Sequence, residues 1–412
     1  MMTIRAKLLF LTIPAIIYAD GLKELLDYAY NNNNIIISKS LTQKAKYKEL
    51  DSSKSANLPT FDIGGFYQRL DKKTHMIPGD IYSAYAKISY NLYDGKRTSS
   101  TIKQKRNELH SSTFELKAFQ KSLSLQIVQD FYTIKNISST IKALQEKQIA
   151  LSAQLDRVKK FYEAQISTKE DIDKLQAAYD TNSYMIESLN FQKLSKQKEL
   201  ELKVGKKITK LDDNIFKKQE IKNLEIDDNI KALEYKKESL KDIASSINSA
   251  NQPQINISDT YNIYDYARDD LTHPEGLDNQ NKLMLSINLR LFDAGASSKN
   301  AQAMYIKAKA LNSQILQLKN EQRIMFDLSN SRIKTAKANI KSTLSALNSA
   351  NSTYETIQKK YNAGLVDNVA YLDALSVKTN VLSLYEKSLN ELEIAYAIYY
   401  YYAGKNIQEF IK

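Results

Sequence analysis

The groups most often used for chemistry are sparse in this chain and badly placed for it. The three histidines, His75, His110 and His273, are far apart, and the chain has no cysteine. That removes a disulfide framework, thiolate metal sites, a cysteine nucleophile and lipidation through an N-terminal cysteine. The acidic pairs Asp212-Asp213 and Asp269-Asp270 lie in polar stretches where solvation explains them. No phosphate-binding glycine loop, nucleophile elbow or metal-spaced cluster is present. The residues therefore point away from an enzyme and imply no cofactor and no metal.

A different chemistry is written in Asn281–Phe292. Leu283, Leu285, Ile287, Leu289 and Leu291 alternate with Lys282, Met284, Ser286, Asn288 and Arg290. A strand puts these sets on opposite faces, one aliphatic and one mostly polar. An earlier segment does the same with Ala84, Ala86, Ile88, Tyr90 and Leu92 against Tyr85, Lys87, Ser89 and Asn91. Strands of this kind face lipid on one side and a lumen on the other in outer-membrane barrels. A half-buried strand of a soluble sheet has the same alternation, but no other segment offers a layer to cover four such strands. Four strands cannot close a barrel, and open edges in lipid leave backbone groups unpaired. The strands must then pair with further copies of the chain, and three copies supply twelve. Tyr67, Tyr82, Tyr90, Tyr93 and Phe292 are candidates for the aromatic girdles.

The elements that hold these strands repeat. Leu92/Leu291, Tyr162/Tyr361 and Gly205/Gly404 all recur at an offset of 199 residues, and Ser55–Pro59 is echoed by Ser249–Pro253. Three echoes in one register mark an internal duplication with two hairpins of one length. Residues 1–19 read as a secretory signal, with Arg5 and Lys7 before a short apolar run, and fit cleavage after Ala19. Residues 20–205 form the first repeat: a helix, a strand pair over 60–93 and a long helical hairpin over 97–202. Residues 206–228 are a Lys/Asp-rich connector. Residues 229–404 form the second repeat, with strands over 254–292 and a hairpin over 296–403, and residues 405–412 are a tail. Arg97 to Tyr162 contains neither Gly nor Pro, enough for a helix of ~100 Å. Its distal half carries a heptad seam, Ile137, Ile141, Leu144, Leu151, Leu155, Val158 and Tyr162, with Gln148 in one slot. The net charge of +12 is mostly Lys scattered along periodic segments, which solvated helix faces explain better than a nucleic-acid groove does.

The order helix, Pro, strand pair, aromatic-Asp-Gly, long helix, Tyr-x-x-Gly-type turn and Tyr371-Leu372-Asp373-Ala374 resembles the TolC family of outer-membrane efflux proteins, over essentially the whole mature chain. The resemblance implies an α+β membrane protein. A trimeric twelve-stranded β-barrel, four strands per chain, would continue into an α-helical coiled-coil tunnel through the periplasm. It implies an exit duct in the outer membrane of a Gram-negative bacterium, and partners that are a homotrimer, a periplasmic adaptor (membrane fusion protein), an inner-membrane transporter and outer-membrane lipid. Transport energy would come from those partners. The pore constriction maps to Ala370 and Asp373, and Ala370 departs from the acidic residue usual there. The gate contacts map to Tyr361 and Asp171, with Glu170 beside it. Val366 stands where the family has Arg, so that part of the latch is reduced. The adaptor-docking tips map to Ala164, Gln165 and Ile166 and to Ala363, Gly364 and Leu365. Gln165 replaces Gly, so identical geometry in the two turns is not implied. Leu283, Leu285, Ile287, Leu289 and Leu291 would face lipid. The rival reading is an exported coiled-coil structural or adhesive protein, which leaves the duplicated strand pairs unexplained.

Overall fold

A computed structural model describes residues 21–72, 79–209, 211–212, 214–266 and 278–412. The signal segment, His75, His273, Asp213 and the pair Asp269-Asp270 lie outside them. The elements run α1 (Leu22–Asn32), α2 (Asn34–Ser55), β1 (Thr60–Arg69), β2 (Asp80–Tyr93), α3 (Arg97–Glu163), α4 (Lys169–Val204), α5 (Asp228–Asn248), β3 (Gln254–Tyr266), β4 (Asn279–Asn288), α6 (Ala296–Asn362) and α7 (Asn368–Tyr402). The two long helices have the same length, 67 residues each. Asp94 and Asp293, again 199 apart, open them in the same way. Asp94 accepts from the Thr98 backbone N–H at 2.8 Å, and Asp293 from that of Ser297 at 2.9 Å. Each carboxylate satisfies an orphan donor of the first turn and meets the positive end of the helix dipole.

The chain divides into two compact units. One unit comprises residues 35–119 and 226–324. It holds an antiparallel sheet ordered β1-β2-β3-β4. The unit also holds α2, α5 and the first parts of α3 and α6, which bury residues such as Leu50, Ile230, Ala301 and Ile315. Polar ties supplement this core: Lys46 and Lys105 both donate to Glu49, and Asn107 donates to Asp242 at 2.8 Å.

The other unit comprises residues up to Asn34, 120–225 and from Met325 onward. Here α1 buries Leu22, Leu25, Leu26 and Ala29, the stripe expected of a helix with one apolar face. Gln148, the polar slot of the heptad seam, accepts from Asn182 on α4 at 2.5 Å, and Asn182 also donates to the Leu144 carbonyl. A polar pair with one buried member, here Asn182, favours one register between two helices.

Two strand boundaries differ from the alternation pattern. β3 continues to Tyr266 because β2 pairs with it up to Ile81–Tyr266. β4 stops at Asn288, opposite Gln254, the first residue of β3. Leu289 and Leu291 therefore lie past the strand that their alternation assigns them to.

Candidate functional site

Two regions carry the candidate residues. The first is the pair of turns that close the helical hairpins. Ala164, Gln165 and Ile166 bond back to Lys160, Tyr162 and Phe161. Ala363, Gly364 and Leu365 bond back to Lys359, Tyr361 and Lys360, the same pattern 199 residues on. Gly364 has φ 73° and Gln165 φ 59°. The Gln-for-Gly exchange has left the turn geometry unchanged, with Gln165 accepting a left-handed conformation that disfavours a side chain.

Behind the turns, Leu151, Leu155 and Val158 of α3, Leu175 of α4, Tyr354 of α6 and Tyr371 and Leu375 of α7 form one buried cluster. Tyr361 packs on its edge, its ring stacked on Tyr371 at 5.0 Å. The Arg157 guanidinium lies between two aromatic rings, 5.1 Å from Phe161 and 5.4 Å from Tyr361. It also donates to the Asn362 side-chain oxygen at 2.6 Å and to the Asn362 carbonyl. One cation thus joins the ends of α3 and α6. Burial raises the Tyr361 pKa, and nearby Arg157 opposes the shift. Tyr371 is raised further, by burial first and then by Tyr354.

Of the sequence-derived gate residues, Asp171 lies near enough to Tyr361 for its charge to help raise the Tyr361 pKa. The Asp171 carboxylate accepts from the Thr168 hydroxyl at 2.8 Å, the Thr168 N–H at 3.2 Å and the Ser167 hydroxyl at 3.0 Å. Thr168 returns a bond to the Asp171 N–H, making a reciprocal cap on α4. These bonds hold the Asp171 carboxyl below its ordinary pKa. Among the described residues no hydrogen bond joins it to Tyr361. Glu170 is paired with Lys174 on its own helix at 2.7 Å. Asp373 is exposed on α7, while Tyr371, Ala374 and Leu375 on the same helix are buried. Ala370 is half-buried, and its N–H is capped by Asp367. Arg157 was missed because nothing in a Lys-rich helix singles out one Arg. Its position one turn before Phe161 was the available signal.

The second region is the sheet. Pairing places Phe61, Ile63, Gly65 and Tyr67 of β1 beside Ile88, Ala86, Ala84 and Tyr82 of β2. It places Ile257 and Ile255 of β3 beside Leu285 and Ile287 of β4. One mainly apolar face therefore crosses the four strands, interrupted by Asp259 between Ile88 and Leu283 and, toward the other end, by Asn281, Asn279 and Asp265. Leu283, Leu285 and Ile287 stand exposed on it. The other face presents Asp62, Lys87, Thr260 and Lys282 in one cross-strand row. The Tyr67 and Tyr82 rings lie 4.9 Å apart near one end of the sheet, and Tyr90 and Tyr93 lie toward the other. No helix among the described residues is long and apolar enough to cross a membrane.

No family model matches the chain. It is 22% identical to the outer membrane protein TolC of Vibrio cholerae over 320 residues, 72% of this chain and 71% of that protein. Among solved structures it is similar to the outer membrane protein VceC of Vibrio cholerae, with TM-score 0.80, 13% identity and coverage of 94% of this chain and 96% of that one. It is similar also to the CmeC outer membrane channel of Campylobacter jejuni, with TM-score 0.82, 15% identity and coverage of 94% and 86%. The open-state MtrE outer membrane channel of Neisseria gonorrhoeae gives TM-score 0.78, 12% identity and coverage of 94% and 89%. The chain therefore has the fold of the TolC-family outer-membrane channels and is related in sequence to TolC itself.

Proposed function

We propose that the protein is the outer-membrane exit duct of a tripartite efflux or type I secretion system. Three copies form it, and it conducts substrate passively from an inner-membrane transporter and a periplasmic adaptor. The observation that carries this reading is the four-stranded sheet: one mainly apolar face, two edges unpaired among the described strands, and two hairpins built on long helices of equal length. Unpaired edges in hydrocarbon cost several kcal/mol per backbone group, so a membrane-embedded sheet of this kind has to close with copies of itself. The apolar face meets lipid and the row Asp62, Lys87, Thr260, Lys282 faces the lumen. The exposed turns at Gln165 and Gly364 are the surface offered to the adaptor.

At the helical end, Asp373 projects from α7 away from the hydrophobic cluster, which suits a ring of three carboxylates around an axial passage. Ala370 contributes no second ring. Arg157, holding Tyr361 and Asn362, takes over part of the restraint that Val366 cannot supply. The test is to purify the full chain from outer membranes and reconstitute it in planar bilayers. The reading expects a detergent-resistant trimer that conducts cations, with Asp373→Asn lowering cation selectivity. A monomer that produces no channel would overturn the duct, and unchanged selectivity in the variant would remove Asp373 from the constriction.

A further inference from the structure

The polar face of the sheet is not polar throughout. Its row Asp62, Lys87, Thr260 and Lys282 has the charged character of a water-filled barrel interior. Two same-face steps nearer the loop ends of the strands, Phe66, Ser83 and Tyr264 stand side by side. That row continues to Asp278, whose carbonyl accepts from the Tyr264 N–H at 3.0 Å. Tyr85 on β2 and Tyr266 on β3 belong to the same face, because alternate residues of a strand share one side. Four aromatic rings from three strands thus form a panel where the alternation calls for polar side chains.

Gly64 makes room for this panel. A Cβ there would come within 2.6 Å of the Tyr85 ring, so the ring rests over the β1 backbone. Tyr264 and Tyr266 are stacked, with 6.3 Å between centroids and 12° between planes. Ser83 lies between Phe66 and Tyr264 in its row. It is 7% exposed, and its hydroxyl has no hydrogen-bond partner among the described residues. Buried hydroxyls are normally paired, so one that is not calls for a partner from outside the sheet. The charge beside the panel is negative: Asp278 is exposed, and its carboxylate acts electrostatically on the Tyr266 hydroxyl. Lys87 and Lys282 lie four residues along their strands from Ser83 and Asp278, about 13 Å away.

We propose that this panel is a binding site for aromatic organic cations, seated on Phe66, Tyr85, Tyr264 and Tyr266 beside the Asp278 carboxylate. The face of an aromatic ring attracts a cation through its quadrupole, and the attraction grows where water is displaced. The apolar body of the same ligand stacks on the remaining rings. The Ser83 hydroxyl accepts an N–H from a cation that carries one. An anion of the same shape meets Asp278 and the negative ring faces instead. The inference rests on the duct reading, because it takes the polar face as the lumen, and it makes the panel a contact point for cargo of this class.

The chain has no tryptophan, so Phe66→Trp places one indole per copy in the panel without background. Titration of the full chain in a non-ionic detergent with 1-methylquinolinium should quench this fluorescence to saturation. Benzyltrimethylammonium should relieve the quenching, and benzenesulfonate should not. Tyr264→Ser should raise the half-saturating concentration about tenfold. Asp278→Asn, which keeps the backbone bond to Tyr264, should shift it in the same direction. Equilibrium dialysis of the unaltered protein against 1-methylquinolinium should saturate over the same range, independently of the introduced indole. Quenching that rises linearly without saturation overturns the site. So does relief by benzenesulfonate as ready as that by benzyltrimethylammonium, or an unchanged half-saturation in both variants. Where the same preparation still forms conducting trimers, these outcomes leave the duct standing. A preparation that forms neither trimer nor channel removes the duct and the site together.

Discussion

Arg157 shows how one side chain can join two helices whose own sequences do not mention each other. Its planar guanidinium fills the space between Phe161 and Tyr361 while donating to Asn362. Stacking and directed donation together are what Arg supplies and Lys does not. Arg157→Ala should raise the resting conductance of the reconstituted channel, and Arg157→Lys should behave more like Ala than like the parent; equal conductance in all three would exclude a restraining role. Asp171 acts on a smaller scale, as the reciprocal cap of α4. Asp171→Ala should cost the first turn of α4 about 1 kcal/mol, read as faster amide exchange there. Its carboxyl pKa is depressed by the Thr168 hydrogen bonds. The stabilisation is therefore complete above the unfolded value, about 4, and fades as the pH falls through the folded value. Protease nicking at the first turn should rise below about pH 4 in the parent and be insensitive to pH in the variant.

Among the elements, the two turns are the cleanest comparison, because they share hydrogen bonds and differ in one residue. Gln165 sits at φ 59° with a side chain and Gly364 at φ 73° without one. A Cβ on Gly364 would meet nothing within 4 Å, so Gly364→Ala tests backbone strain alone. It should destabilise its hairpin by about 1 kcal/mol, and Gln165→Gly should stabilise the first hairpin by a similar amount. Thermal unfolding of the two variants checks both signs, and a neutral Gly364→Ala would mean that the turn relaxes. The sequence made the turns, the hairpins and the duplication legible, since Gly, Pro and heptad periodicity act locally. It placed the end of β4 four residues too far, because alternation records what a strand could do and pairing depends on a partner β3 does not supply.

For the whole molecule, the stretch with the least sequence signal turned out to be closely held. Residues 206–228 have neither periodicity nor an apolar run, yet Phe216 is buried and bridges to Ile411 in the tail. Its N–H donates to the buried Glu393 carboxylate at 2.7 Å. Tyr400 donates to the carbonyls of Lys217 and Gln219. Burial pushes its hydroxyl up to about 12, which keeps the donor protonated well into alkaline pH. Phe410 stacks on Tyr400 at 3.9 Å. Phe410→Ala should cost about 3–5 kcal/mol and loosen connector and tail together, seen as a lower denaturation midpoint and new protease cleavage within 206–228. Cleavage confined to the tail would show that the two are independent.

The sequence by itself determined the duplication, the strand alternation, the equal hairpins and the absence of thiol chemistry, because each depends on residue type at a fixed spacing along the chain. Only the tertiary structure decided that Arg157 meets Tyr361, that the connector is pinned by α7 and the tail, and that β4 ends opposite the first residue of β3. These are contacts between residues distant in sequence, and their partners are chosen by packing geometry, which no local pattern encodes.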